Sequence, residues 1–167
     1  MAITQNDLRK AATRNIFAKN QQSKTYLQKT GFLCHSHKDR ELALGVQQWL
    51  MEHGMHLYID WQDTSMPESP DATTAARIRK IIQGADVFLF LATNDSMLSR
   101  WCPWELGFAD GVKRNEQIAV IATSDASGRY YGNEYLQLYR RIDQTTAGGS
   151  LSWYQRGSYT PQALANF

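Results

Sequence analysis

Two short runs, DVFLFLAT at residues 86–93 and QIAVIAT at 117–123, restrict the fold of this chain more than any other feature. Both are apolar at nearly every position instead of alternating, so a strand built from either must be covered on both faces. GFLCH at 31–35 and MHLYID at 55–60 have the same character in shorter form, and LSWYQ at 151–155 reads as a last short strand. Strands of this kind, separated by segments of helical spacing, form a parallel sheet with helices on both sides.

The intervening segments carry helix signals. Ser36-His-Lys-Asp39 reads as a capping box, followed by a helix with Leu42, Val46, Trp49, Leu50 and His53 on one face and Gly54 at its C-terminal end. Ser69-Pro70-Asp71 is expected to open a second helix, with Pro70 at the first helical position and Ala75, Ile78, Ile82 and Ala85 buried. A third helix lies within SRWCPWELGFADG at 99–111, with Pro103 as its first residue, and 131–141 reads as helical too. Such α/β folds take ligands beyond the carboxyl ends of their strands, which points to the loops after His35, Asp60, Thr93 and Thr123.

Composition narrows the function classes. At 167 residues and 43% apolar content the chain has enough material for one domain with a real core. Cys34 and Cys102 make neither a disulfide framework nor a metal site of the usual spacing, which fits a reducing, cytoplasmic setting. No apolar run reaches the roughly 18 residues of a membrane span. The basic residues Arg9, Lys10, Arg14, Lys19, Lys24 and Lys29 stand against Asp7 alone in the first thirty, so the rest of the chain is at −3 under a total of +2. That balance argues against a nucleic-acid-binding body, and residues 1–30 read as a basic, partly helical arm.

The stretch at 99–111 raises the chemical question, because it crowds Trp101, Cys102, Pro103 and Trp104 ahead of Glu105. With Pro103 first, Glu105 falls at about the third helical position, where the helix dipole and free amides would keep it ionised near neutral pH. An acid there also serves as an ordinary first-turn residue. Trp101 and Trp104 either pack in the core or offer a flat face to a planar or cationic ring. Ser36 and His37 follow the first strand as either ligand contacts or an N-cap. Asp60 either faces the ligand or caps its loop, and Asn94 and Ser96 are polar contacts or turn residues. His35 and His37 flank Ser36, but no nucleophile elbow accompanies them and no third metal partner stands nearby.

At these residues the sequence resembles the Toll/interleukin-1 receptor (TIR) domain family, in its soluble bacterial form. GFLCHSHKDRELA is similar to the family's first box, DWQDTSMP falls where the BB loop follows the second strand, and FLATNDSMLSRWCPWELGFA resembles the third box. The resemblance implies a flavodoxin-like three-layer fold: a central parallel sheet of about five strands with helices on both faces. Residues 31–147 would form the TIR domain, and 148–167 a C-terminal extension packed on it. Enzymes of the family cleave the nicotinamide–ribose bond of NAD+, then hydrolyse the product or cyclise it to a cyclic ADP-ribose.

The resemblance implies Glu105 as the catalytic glutamate and Trp101 as the stacking aromatic, with NAD+ as substrate and no resident cofactor or metal. It also implies self-association through the BB loop at Met66, Pro67, Glu68 and Ser69. The compact layout resembles the TIR component of Thoeris-type antiphage systems, in which a separate effector senses the nucleotide. Members that only dock on other TIR domains give the second reading, a non-catalytic scaffold. Two departures stand out: Cys34 occupies a place where serine is frequent, and Glu68 follows Pro67 where receptor-type domains often carry glycine.

Overall fold

The computed structural model describes residues 2–18, 29–62, 71–146, 149–164 and 167. In chain order the elements are β1 (Ile3–Thr4), α1 (Gln5–Ala18), β2 (Lys29–Cys34), α2 (Arg40–Glu52), β3 (Met55–Tyr58), α3 (Ala72–Gly84) and β4 (Val87–Ala92). There follow α4 (Asn94–Met97), α5 (Trp101–Val112), β5 (Ile118–Ser124), β6 (Tyr130–Tyr131), β7 (Arg140–Gln144), β8 (Leu151–Tyr154) and β9 (Gln162–Ala163).

The sheet runs β3-β2-β4-β5-β7-β8-β9. Its first five strands are mutually parallel, and β8 and β9 extend the edge in antiparallel fashion. The expected three-layer α/β architecture is therefore present. β4 shows why its sequence is continuously apolar: Val87, Leu89 and Leu91 join one core, and Phe88, Phe90 and Ala92 the other. The first core is closed by Leu8 of α1 and by Leu42, Val46 and Leu50 of α2. The second is closed by Ile78 and Ile82 of α3 and by Cys102, Leu106 and Ala109 of α5.

The first segment is tied into this body. Ile3 and Thr4 pair in parallel with Thr123 and Ser124 at the end of β5, and Leu8, Ala11 and Ala12 are buried. α1 lies on α2 so closely that a Cβ at Gly45 would sit 2.1 Å from the Leu8 carbonyl oxygen. At the far end of α2, Gly54 takes a positive φ of 81°, as its place after the helix suggested.

Several local expectations are corrected. Asp71 caps α3 from outside, accepting from the Thr74 amide at 2.9 Å, so the helix starts at Ala72; Ser69 and Pro70 lie outside the described residues. The segment 131–141 is not a helix but the tail of β6, a 3-10 turn at Glu134–Leu138 and the start of β7. Its basic pair disguised the strand. Arg140 lies 4.3 Å from the ring of Trp153 and Arg141 4.5 Å from that of Tyr154, so the charged side chains are covered by aromatics of the neighbouring strand.

Candidate active site

The strand order reverses between β2 and β4: the chain moves from β2 outward to β3 and then returns to β4 on the other side. A crevice beyond the carboxyl ends of the strands belongs at that point. The loops that follow β2 and β4 meet there. Ser36 accepts from the Lys38 amide at 3.3 Å and caps a single 3-10 turn, His37–Asp39. Asp39, expected to close its own capping box, instead accepts a hydrogen bond from the Thr93 hydroxyl at 2.5 Å. Burial raises the Asp39 carboxyl above its ordinary value, and the Thr93 hydrogen bond opposes that rise.

α5 begins two residues earlier than Pro103. The Ser99 hydroxyl accepts from the amides of Trp101 (3.1 Å) and Cys102 (3.3 Å) and so caps the helix. Pro103 is third in the helix, still in the turn whose amides have no intrahelical partner, so its missing N–H costs nothing. Glu105 becomes the fifth residue, beyond the first turn, and points inward at 6% exposure. The expected placement of the carboxylate in the first turn, on the helix dipole, is overturned. Burial pushes the Glu105 carboxyl well above its ordinary range, with the neighbouring Cys34 side chain opposing the rise. Cys34, itself raised by burial, donates to the Cys102 carbonyl oxygen at 3.7 Å, which fastens the end of β2 to the start of α5.

Of the residues singled out from sequence, the structure gathers Glu105 and Asp60 near one another, with Trp101 one helical turn from Glu105. Asp60 acts electrostatically on Glu105, and its Oδ1 lies 3.9 Å from His35 Nε2. Trp101 is half-buried and meets Trp104 edge to face at 5.3 Å between ring centroids. Trp104 in turn stacks on Phe108 and carries the Arg79 guanidinium at 5.3 Å, so it joins α5 to α3.

The remaining residues fall elsewhere. His37 is exposed on the capped turn. Asn94 is exposed on the rim of a separate hollow of about 350 Å³ with Lys38, Asp39 and Asp95. Ser96 is fully buried and holds its own turn, donating to the Thr93 carbonyl at 3.1 Å, and so is not presented to a ligand. The BB-loop residues Met66, Pro67, Glu68 and Ser69 lie outside the described residues.

Two buried residues beside this cluster were passed over as site candidates: Cys34, which acts on Glu105, and His35, which faces Asp60. Cys34 was read only as packing, and His35 only as a triad or metal candidate. The His35 ring is 2% exposed, and its Nδ1–H donates to the Leu33 carbonyl at 3.0 Å, which leaves Nε2 toward Asp60. Burial lowers the His35 pKa, with Asp60 pulling the other way. The signal available in sequence was position alone: both residues end a strand on the ligand-binding edge.

The family model of the TIR domain matches residues 32–148. The chain belongs to the TIR family. The match begins in β2 and runs past β7, so the β2–β4 switch point and α5 are elements of this TIR domain. The chain is also 30% identical over 162 residues to the Bacillus cereus protein named "Probable 3' cyclic ADP-D-ribose synthase ThsB'", with 86% of this chain and 84% of that protein covered. The similarity to that protein therefore covers more of the chain than the TIR match does.

Proposed function

We propose that this TIR domain cleaves the nicotinamide–ribose bond of NAD+ and releases ADP-ribose or a cyclic ADP-ribose. The observation that carries the reading is Glu105, a desolvated carboxyl one helical turn from Trp101 on the strand edge where such folds take ligands. The name of the Bacillus cereus relative, a cyclic ADP-D-ribose synthase, supports the same chemistry.

The chemistry suits a single acid. Nicotinamide leaves a pyridinium as a neutral molecule and needs no proton from the protein. The positive charge that develops on the ribose is stabilised by a carboxylate, and most strongly in surroundings that exclude water. In the free chain burial keeps Glu105 toward its neutral form. A bound pyridinium cation reverses that preference, since an opposite charge nearby favours the ionised form. Trp101 offers the flat face for a ring of the substrate, and Ser36 and His37 lie on the first loop of the same edge.

Self-association through Met66, Pro67, Glu68 and Ser69, a cytoplasmic place in antiphage defence and a separate effector sensing the product belong to the same reading. A docking module is the second reading, favoured by the burial of Glu105 in the free chain. Nicotinamide release from NAD+, followed by chromatography and mass spectrometry over a range of protein concentrations, tests the first against the second. Release by the wild type and its loss in Glu105→Gln supports catalysis, and the product mass separates hydrolysis from cyclisation. Absence of release at every concentration, with infected-cell extract added, leaves the docking module.

A further inference from the structure

On the α3–α5 face of the sheet, beyond the 3-10 turn at Glu134–Leu138, a cleft of about 730 Å³ opens over β5 and β7. Its size falls in the range of small-molecule sites. None of its lining residues belongs to the Glu105 cluster. Val120 and Ala122 of β5 line it on the sheet side, Asp143 and Arg141 of β7 contribute polar groups, and Arg156 and Tyr159 come from the loop after β8.

Three features of this cleft are those of a binding site. Asp143 has a side chain only 9% exposed; its Oδ2 accepts from Arg141 Nε at 3.1 Å, but its buried Oδ1 has no hydrogen-bond partner among the described residues. A buried acceptor left without a donor destabilises the free protein, and a ligand that donates to it relieves that cost. Tyr159 is 89% exposed, yet its ring is held 5.6 Å from the Arg141 guanidinium, which itself lies against Tyr154. An aromatic face is thus presented to solvent at the edge of the cleft. Arg156 is exposed and makes no ion pair among the described residues.

A buried acceptor, an exposed aromatic plane and an uncommitted cation complement the three parts of a nucleotide. We propose that this cleft binds a nucleotide whose base carries an exocyclic amine, with the amine donating to Asp143 Oδ1, the base on Tyr159 and the phosphate at Arg156. Because Oδ2 is already committed to Arg141, the carboxylate offers one acceptor, which matches a single amine such as that of adenine. This site is independent of what Glu105 does.

The test is calorimetric titration of the full chain with AMP, alongside adenosine, which lacks the phosphate, and IMP, which lacks the amine. AMP is expected to bind at one site, with adenosine and IMP each at least tenfold weaker. Arg156→Ala and Tyr159→Ala, both at exposed positions, are expected to weaken AMP at least tenfold. Trp101→Ala and Glu105→Gln are expected to leave its binding unchanged. Absence of AMP binding overturns the proposal, as does binding indifferent to Arg156 and Tyr159. Binding lost in Trp101→Ala or Glu105→Gln also overturns it and assigns AMP to the Glu105 site. Nicotinamide release from NAD+ by the Arg156→Ala protein reports separately on the catalytic reading.

Discussion

The Thr93 hydroxyl donates to the Asp39 carboxylate at 2.5 Å, joining the loop after β2 to the loop after β4. The two residues are 54 positions apart in sequence, and both are buried. This bond holds together the two loops that flank the switch point of the sheet. Removing the hydroxyl leaves the carboxylate without its donor in a desolvated place. Thr93→Val is expected to destabilise the protein by about 1–3 kcal/mol. At roughly 2–4 °C per kcal/mol for a chain of this size, the loss is readable by thermal melting. Thr93→Ser, which keeps the donor, is expected to recover most of it.

Glu105 sets a pH signature. Its folded pKa stands above the ordinary value of about 4.5, so the native state binds the extra proton. Stability contributed by the neutral form is fully present below the unfolded value and is lost as pH rises toward the folded one. Glu105→Gln removes this loss. It is expected to stabilise the protein at pH 8 by on the order of 1 kcal/mol, as substitutions that relieve a strained site do. At pH 4 the two melting temperatures should coincide. A variant less stable than wild type at pH 8 would contradict the buried-acid account.

Under the proposed function the same group is expected to govern turnover in the opposite sense. The kcat/KM for NAD+ cleavage is expected to rise with pH through an inflection above 4.5, the ordinary glutamate value. Glu105→Gln should lose at least a hundredfold in kcat, the scale of removing a charge-stabilising group. Stopped assays across pH 4–9 give both quantities.

The two tryptophans should separate. Under the proposed function Trp101 stacks on the substrate, so Trp101→Ala is expected to raise KM for NAD+ about tenfold, a loss near 1.4 kcal/mol, with Trp101→Phe intermediate. Trp104 joins α5 to α3 through Phe108 and Arg79. Trp104→Ala is expected to lower the melting temperature while leaving KM within twofold. Steady-state kinetics and melting curves on the same preparations decide the assignment.

Gly45 tests how α1 is docked. Alanine there would meet the Leu8 backbone at 2.1 Å, and neither helix can yield without shifting. Gly45→Ala is expected to cost about 1–3 kcal/mol through overpacking. It should also speed proteolysis within the first 18 residues, which limited trypsin digestion would detect.

The legible parts of this protein were those whose physics is local. Continuous apolar runs marked β2, β4 and β5, because a strand covered on both faces has no polar side to alternate. Helical stripes marked α2 and α3, and Gly54 marked a turn that requires positive φ. What failed was written in another strand: the charge of β7 looked helical until Trp153 and Tyr154 were found covering Arg140 and Arg141. Asp39 likewise looked like a cap because Thr93 lies too far along the chain to be read as its partner.

For the candidate site the division is similar. Sequence by itself placed Glu105 in a helix on the ligand-binding edge with Trp101 just ahead of that helix; only the structure put both in α5, one turn apart. Only the tertiary structure decided the state of Glu105. Ser99 starts α5 two residues early, which moves the glutamate out of the dipole's reach and turns it toward Cys34. A carboxyl's charge is set by what surrounds it in space, and burial outweighs position along a helix once water is excluded.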